Sequence, residues 1–194
     1  MAENIDIKII LLGETGTGKT NLIITYYGEK FDINSKSTLD SKTNFKKLTI
    51  NNRQCVINMW DTAGQEQYRS ITKTFINGTD IVILVYDITR RDTFLELNYW
   101  FDTATLQLGE NDVFGVAGNK SDLFIDAKVT PEKGELFAEQ KGCFFSLTSA
   151  KKDPKSFEVL VEKLLEKYLK NKNIIKNSEK IIISEIKKKK KKFC

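Results

Sequence analysis

The chain contains no histidine, and that absence closes two routes at once: an imidazole general base and a His-ligated zinc centre. Cysteine is almost as sparse. The three cysteines, at positions 55, 143 and 194, form neither a disulfide framework nor a metal-ligand spacing, so Cys55 and Cys143 read as small core residues. Long apolar runs are missing too, and nothing approaches the roughly 20 residues that a bilayer-spanning helix needs. The first residues, Met1 to Asp6, lack the basic start and apolar stretch of a secretory signal, so the expected compartment is the cytosol.

What is present is an uneven charge. The net charge is +5, but from Lys170 onward ten lysines face only Glu179 and Glu185, a local balance of +8 that leaves the first 169 residues at −3. The basic character therefore belongs to the tail. A nucleic-acid-binding domain spreads basic charge over a folded face, which this body does not do, and no specific nucleic-acid partner is expected. With 194 residues the chain suits one domain, expected over 1–172, followed by a disordered polybasic tail over 173–194.

Apolar runs alternate with amphipathic ones, the pattern of an α/β fold around a mostly parallel sheet. Strands are predicted at Asp6–Leu12, Asn44–Ile50, Gln54–Trp60, Asp80–Tyr86, Val113–Gly118 and Cys143–Ser146. Asn51-Asn52-Arg53 reads as a tight turn, which makes the second and third strands an antiparallel hairpin. Crossover helices are predicted at 18–26, 67–77, 91–108, 131–141 and 154–172. In the last, Phe157, Leu160, Val161, Leu164, Leu165, Tyr168 and Leu169 share one face. The two prolines, Pro131 and Pro154, fall at first helical positions, where a missing N–H costs nothing.

Gly13-Glu14-Thr15-Gly16-Thr17-Gly18-Lys19-Thr20 fits G-x-x-x-x-G-K-[ST], directly after an apolar strand and directly before a helix. Glycines there let backbone N–H groups turn inward around a β-phosphate, where the helix N-terminus adds its positive end. Lys19 would reach the β- and γ-phosphates, and the Thr20 hydroxyl would ligate Mg²⁺. Alone, this motif specifies a nucleoside triphosphate without naming the base. Asn119-Lys120-Ser121-Asp122 follows the fifth strand, at the carboxyl edge where α/β ligands bind. A buried carboxylate at Asp122 can accept hydrogen bonds from N1–H and the exocyclic amine of guanine. Adenine offers neither, so such a site discriminates by roughly 10⁴ or more. Ser149-Ala150-Lys151, after the sixth strand, adds a backbone N–H for the guanine O6.

These motifs, with Trp60-Asp61-Thr62-Ala63-Gly64-Gln65-Glu66, resemble the Ras superfamily of small GTPases over residues 6 to about 170, and within it the Rab family. The intervals agree: Thr38 lies eighteen residues after Thr20, Asp61 twenty-three after Thr38, and Ser149 twenty-seven after Asp122. Gln67-Tyr68-Arg69-Ser70-Ile71, Leu84-Val85-Tyr86-Asp87-Ile88-Thr89 and Trp100 are also similar to Rab sequence.

The resemblance implies a P-loop NTPase fold with a six-stranded, mostly parallel sheet, one antiparallel strand and helices on both faces. It implies a Mg²⁺-dependent, slow hydrolysis of GTP to GDP. The implied nucleotide contacts are Glu14, Thr15, Gly16, Thr17, Gly18, Lys19, Thr20, Asn21, Phe31, Thr38, Gly64, Asn119, Lys120, Asp122, Ser149, Ala150 and Lys151. Mg²⁺ would be held by Thr20 and Thr38, and by Asp61 through water, while Gln65 would orient the attacking water. A monomer working with an exchange factor, an activating protein and effectors is implied as well.

Two departures stand out. Thr38-Leu39-Asp40-Ser41-Lys42-Thr43 replaces the usual Thr-Ile-Gly-x-x-Phe, so effector identity does not transfer. Thr15 crowds the γ-phosphate region where relatives carry serine or glycine, consistent with slow turnover. Lys187 to Lys192 and Phe193-Cys194 combine about 1 kcal/mol of leaflet attraction per lysine with a terminal cysteine that is not a C-a-a-X box. Prenylation of Cys194 would add the second signal for anchoring at the cytoplasmic face of an intracellular membrane. A guanine-nucleotide-dependent binding module with little or no hydrolysis, a Ras-like signalling GTPase, and a nucleic-acid-associated GTPase using its lysine run are the competing readings.

Overall fold

The computed structural model describes residues 4–32, 45–50, 52–62, 75–108 and 112–172. Six strands form one sheet: β1 Ile5–Leu12, β2 Phe45–Ile50, β3 Arg53–Trp60, β4 Ile81–Asp87, β5 Val113–Asn119 and β6 Phe144–Leu147, in the order β2-β3-β1-β4-β5-β6. Among the described strands the β2–β3 pair alone is antiparallel; β1–β3, β1–β4, β4–β5 and β5–β6 are parallel. The hairpin turns at Asn52, whose φ of 61° lies in the left-handed region that asparagine tolerates. All the parallel strands therefore point their carboxyl ends to one edge, and the site is built there.

Helices among the described residues include α1 Lys19–Tyr26, α2 Arg91–Leu95, α3 Leu97–Thr105, α4 Pro131–Gln140 and α5 over residues 154–172. Strand side chains alternate between two core layers, as a period of two demands. Ile7, Ile9 and Leu11 of β1 and Ile81, Ile83 and Val85 of β4 pack with Leu22 and Tyr26 of α1 and the apolar stripe of α5. Ile10, Leu12, Val82, Leu84 and Tyr86 pack on the opposite face with Leu97, Trp100, Phe137 and Ala138. Burial on both faces explains why β4 reads Ile-Val-Ile-Leu-Val-Tyr-Asp with every residue inside. Each such Leu or Ile removed from water contributes about 1.5–3 kcal/mol. All seven residues expected on the α5 stripe are buried.

Element ends differ from the sequence expectation by about a residue. The predicted helix 91–108 is divided at Glu96 into α2 and α3. A largely exposed 3₁₀ turn over Ser121–Asp126, absent from the sequence reading, follows β5. The predicted helix 67–77 lies mostly outside the described residues, as do residues 38–43 and the tail 173–194. Cys55 is buried and Cys143 half-buried, and burial pushes the Cys143 thiol up to about 12, which suits an inert packing residue.

Candidate functional site

Residues 13–20 leave β1 and enter α1 as a loop whose glycines each answer a different constraint. A Cβ at Gly13 would lie 2.1 Å from the Val85 carbonyl oxygen, so the start of the loop lies directly against the backbone of β4. A Cβ at Gly18 would lie 2.3 Å from Asn119 Nδ2. Inside the loop, Thr17 is buried and donates its hydroxyl to Glu14 O at 2.9 Å. Thr15 and Gly16 are exposed at its crest.

Lys19 lies under the loop, only 5% exposed, with Nζ donating to Gly13 O at 2.7 Å and Glu14 O at 2.9 Å. Burial brings its pKa down to about 8, opposed by the charges of Asp61 and Glu14. A cation this desolvated gains by meeting an anion at the loop. One residue on, the Thr20 hydroxyl donates to Asp61 Oδ2 at 2.6 Å, joining α1 to the end of β3. A hydroxyl and a carboxylate side by side are hard oxygen donors of the kind magnesium takes. Thr62 fastens this exit, donating its hydroxyl to Leu11 O at 2.6 Å.

The other two loops reach the same edge from β5 and β6. Asn119, buried at the end of β5, donates Nδ2 to Thr17 O at 2.8 Å and accepts from the Thr148 hydroxyl at 3.3 Å. One amide thus stitches the phosphate-type loop to both others. Lys120, with φ of 66°, turns its ammonium onto buried Asp87 at 2.6 Å. The other Asp87 oxygen accepts from the Thr89 N–H at 2.9 Å and hydroxyl at 2.7 Å. Buried Ser149 donates its hydroxyl to Asp122 at 2.6 Å and accepts the Lys152 N–H at 3.0 Å. Ala150 is buried and Lys151 exposed. Asn21 Oδ1 accepts the Asp32 N–H at 3.1 Å, and Phe31 packs half-buried against the α1 core layer.

One expectation needs correction. Asp122 is exposed, not buried: the 3₁₀ turn carries it onto the rim of the sheet, where its carboxylate meets Ser149 and solvent. Its burial, and the base discrimination that burial confers, can come only from a ring seated against it.

Thr38, Gly64, Gln65 and Cys194 lie outside the described residues. Asp87, Thr148, Arg90 and the Trp100 indole, which donates to Glu14 Oε1 at 3.1 Å, were not expected at the site, although Asp87 and Trp100 belong to the segments similar to Rab sequence. Asp87 also carried a local signal: an acidic residue ending an otherwise apolar strand.

Comparison with known proteins agrees with this geometry. The Ras family model matches residues 8–170. The Ras-related protein Rab-2B of Dictyostelium discoideum is 37% identical over 174 residues, covering 88% of this chain and 86% of its own. The Ras-related protein RHN1 of Nicotiana plumbaginifolia is 39% identical over 148 residues, 76% of this chain and 74% of its own. The chain belongs to the Ras family, as a Rab-like small GTPase that binds guanine nucleotide and hydrolyses GTP.

Proposed function

We propose that this chain is a Mg²⁺-dependent switch in intracellular membrane trafficking, with residues 13–20 holding the phosphates and the loops after β5 and β6 holding guanine. One observation carries the reading: Asn119 ties the phosphate loop to both base loops, while Lys19 and the Thr20–Asp61 pair stand beneath that loop. The Rab names of its relatives support the trafficking role.

Thr20 and Asp61 are the described residues that would hold magnesium, whose chemistry there is neutralisation of charge on phosphate oxygens. Lys19 and the N–H groups of the loop act on the same charge as it spreads to the leaving oxygens. Gln65 orients the attacking water, and an activating protein that donates an arginine adds roughly 10³–10⁵ in rate. Thr38 and Gly64 sense the γ-phosphate, so its loss frees residues around 30–43 and 62–75 for partner exchange. The lysine run and a prenylated Cys194 hold the monomer at a cytoplasmic membrane face.

The test is single-turnover hydrolysis of GTP with and without Mg²⁺, together with hydrogen exchange in both nucleotide states. Gln65→Leu is expected to slow turnover and leave GTP affinity nearly intact. Equal protection of 30–43 and 62–75 in both states would rule out a switch, and an unmodified Cys194 in native intact mass would remove the lipid anchor.

A further inference from the structure

Arg90 stands just past the carboxyl end of β4, and its side chain reaches back to the phosphate loop. Its backbone is extended, with φ −125° and ψ 101°, and its N–H donates to Asp87 O at 3.0 Å, which fixes where the side chain starts. From there the guanidinium forks: Nη1 donates to Thr15 O at 3.1 Å and Nη2 to the Asp92 carboxylate at 2.6 Å. A Cβ added to Gly16 would sit 3.4 Å from the same Nη1, so the guanidinium lies along the peptide that joins Thr15 to Gly16.

We propose that Arg90 is a positioning residue for GTP hydrolysis, orienting and polarising the Thr15–Gly16 peptide so that the Gly16 N–H faces the phosphates. The inference rests on reading residues 13–20 as the phosphate loop. The carbonyl and the following N–H of a trans peptide point in opposite directions, and the described residues contain no cis bond. Holding the Thr15 carbonyl toward Arg90 therefore turns the Gly16 N–H away from it, across the loop. Gly16 accepts this with φ of 76°, a conformation costly for other residues.

A charged donor on the carbonyl also draws electron density through the amide, which strengthens the N–H as a donor. Charge moves onto the leaving phosphate oxygens as the γ-phosphoryl group departs. An N–H aimed there gains more in the transition state than in the bound ground state. Loss of Arg90 should therefore weigh on hydrolysis more than on affinity. Trp100 supports the loop one residue earlier through Glu14, so the loop keeps its general course without Arg90.

The experiment uses the full chain loaded with GTP and compares Arg90→Met, Arg90→Lys and Asp92→Asn. Arg90→Met is expected to slow single-turnover hydrolysis by about three- to tenfold. It should also move the Gly16 amide proton resonance of the GDP form upfield. Arg90→Lys, which keeps a charged donor, should restore most of both, while Asp92→Asn should change hydrolysis by less than about twofold. Wild-type hydrolysis in Arg90→Met, an unmoved Gly16 resonance, or Arg90→Lys as slow as Arg90→Met would each overturn the proposal. A wild-type chain that takes up no guanine nucleotide would overturn the reading of the site as well, which separates the two failures.

Discussion

A change of pH bears on Lys19 more directly than on any other described residue. Its ammonium is desolvated beneath the loop, and its pKa falls from 10.5 to about 8 because burial outweighs the pull of Asp61 and Glu14. Phosphates at the loop add negative charge beside it and hold the proton on. Near pH 8 about half of the nucleotide-free molecules have lost that proton, so binding GDP should take up about 0.5 proton per molecule. By the same reasoning, apparent affinity should fall about fourfold between pH 7 and 8.5. Calorimetric titration at pH 8 in two buffers of different ionisation enthalpy reads the uptake. An uptake below about 0.1 proton would refute the link between burial and charge. Stability follows with a defined sign. The folded pKa is lowered, so between about 8 and 10.5 the unfolded chain holds a proton that the folded one has released. Stability of the nucleotide-free protein should thus rise with pH across that window, by at most about 3 kcal/mol.

Three further outcomes are expected. Asn119→Ala removes the donor to Thr17 O and the acceptor of the Thr148 hydroxyl, a loss of about 1–3 kcal/mol, and stopped-flow release of a fluorescent GDP should be roughly 10- to 100-fold faster. Tyr168→Phe deletes the hydroxyl that donates to Asp80 and accepts from Lys172 at 2.7 Å; thermal unfolding should drop by about 2–6 °C. Hydrolysis should be unchanged in that variant, since Asp80 precedes β4 at the edge opposite the phosphate loop. Trp100→Phe keeps a ring in the core but loses the indole donor to Glu14, and GDP release should quicken by about two- to tenfold, with no change in rate counting against a support role.

Much of this was legible from local pattern, and the reason is physical. Strands buried on both faces must be nearly continuous in apolar residues, and β4, β5 and the second half of β1 are. The course of residues 13–20 between β1 and α1 was legible because its glycines answer constraints that few other residues meet. What pattern could not reach was pairing across the sheet edge. Lys120 and Asp87 are 33 positions apart, and nothing in either neighbourhood announces the ion pair. Arg90 and Thr15 meet only because β1 and β4 run side by side in register, Leu12 opposite Leu84. The exposure of Asp122 was missed for a related reason: a 3₁₀ turn is too short to leave a periodic trace, yet it decides where the carboxylate stands.

The glycines of the loop also separate into two kinds, which changes what their substitution would mean. Gly13 and Gly18 are excluded from carrying a side chain by neighbours at 2.1 and 2.3 Å, one a backbone carbonyl of β4 and the other the amide of Asn119. Those contacts seat the loop on the sheet, and the Asn119 amide at Gly18 is the same group that bonds Thr17 O. Gly16 has space, its nearest outside neighbour being Arg90 at 3.4 Å, and it is required by conformation alone. Seat and orientation are therefore held by different residues. On the proposed reading, a chain without histidine can still assist phosphoryl transfer, because Lys19 and the loop's backbone N–H groups are the donors, and two strands and one asparagine hold the loop that presents them.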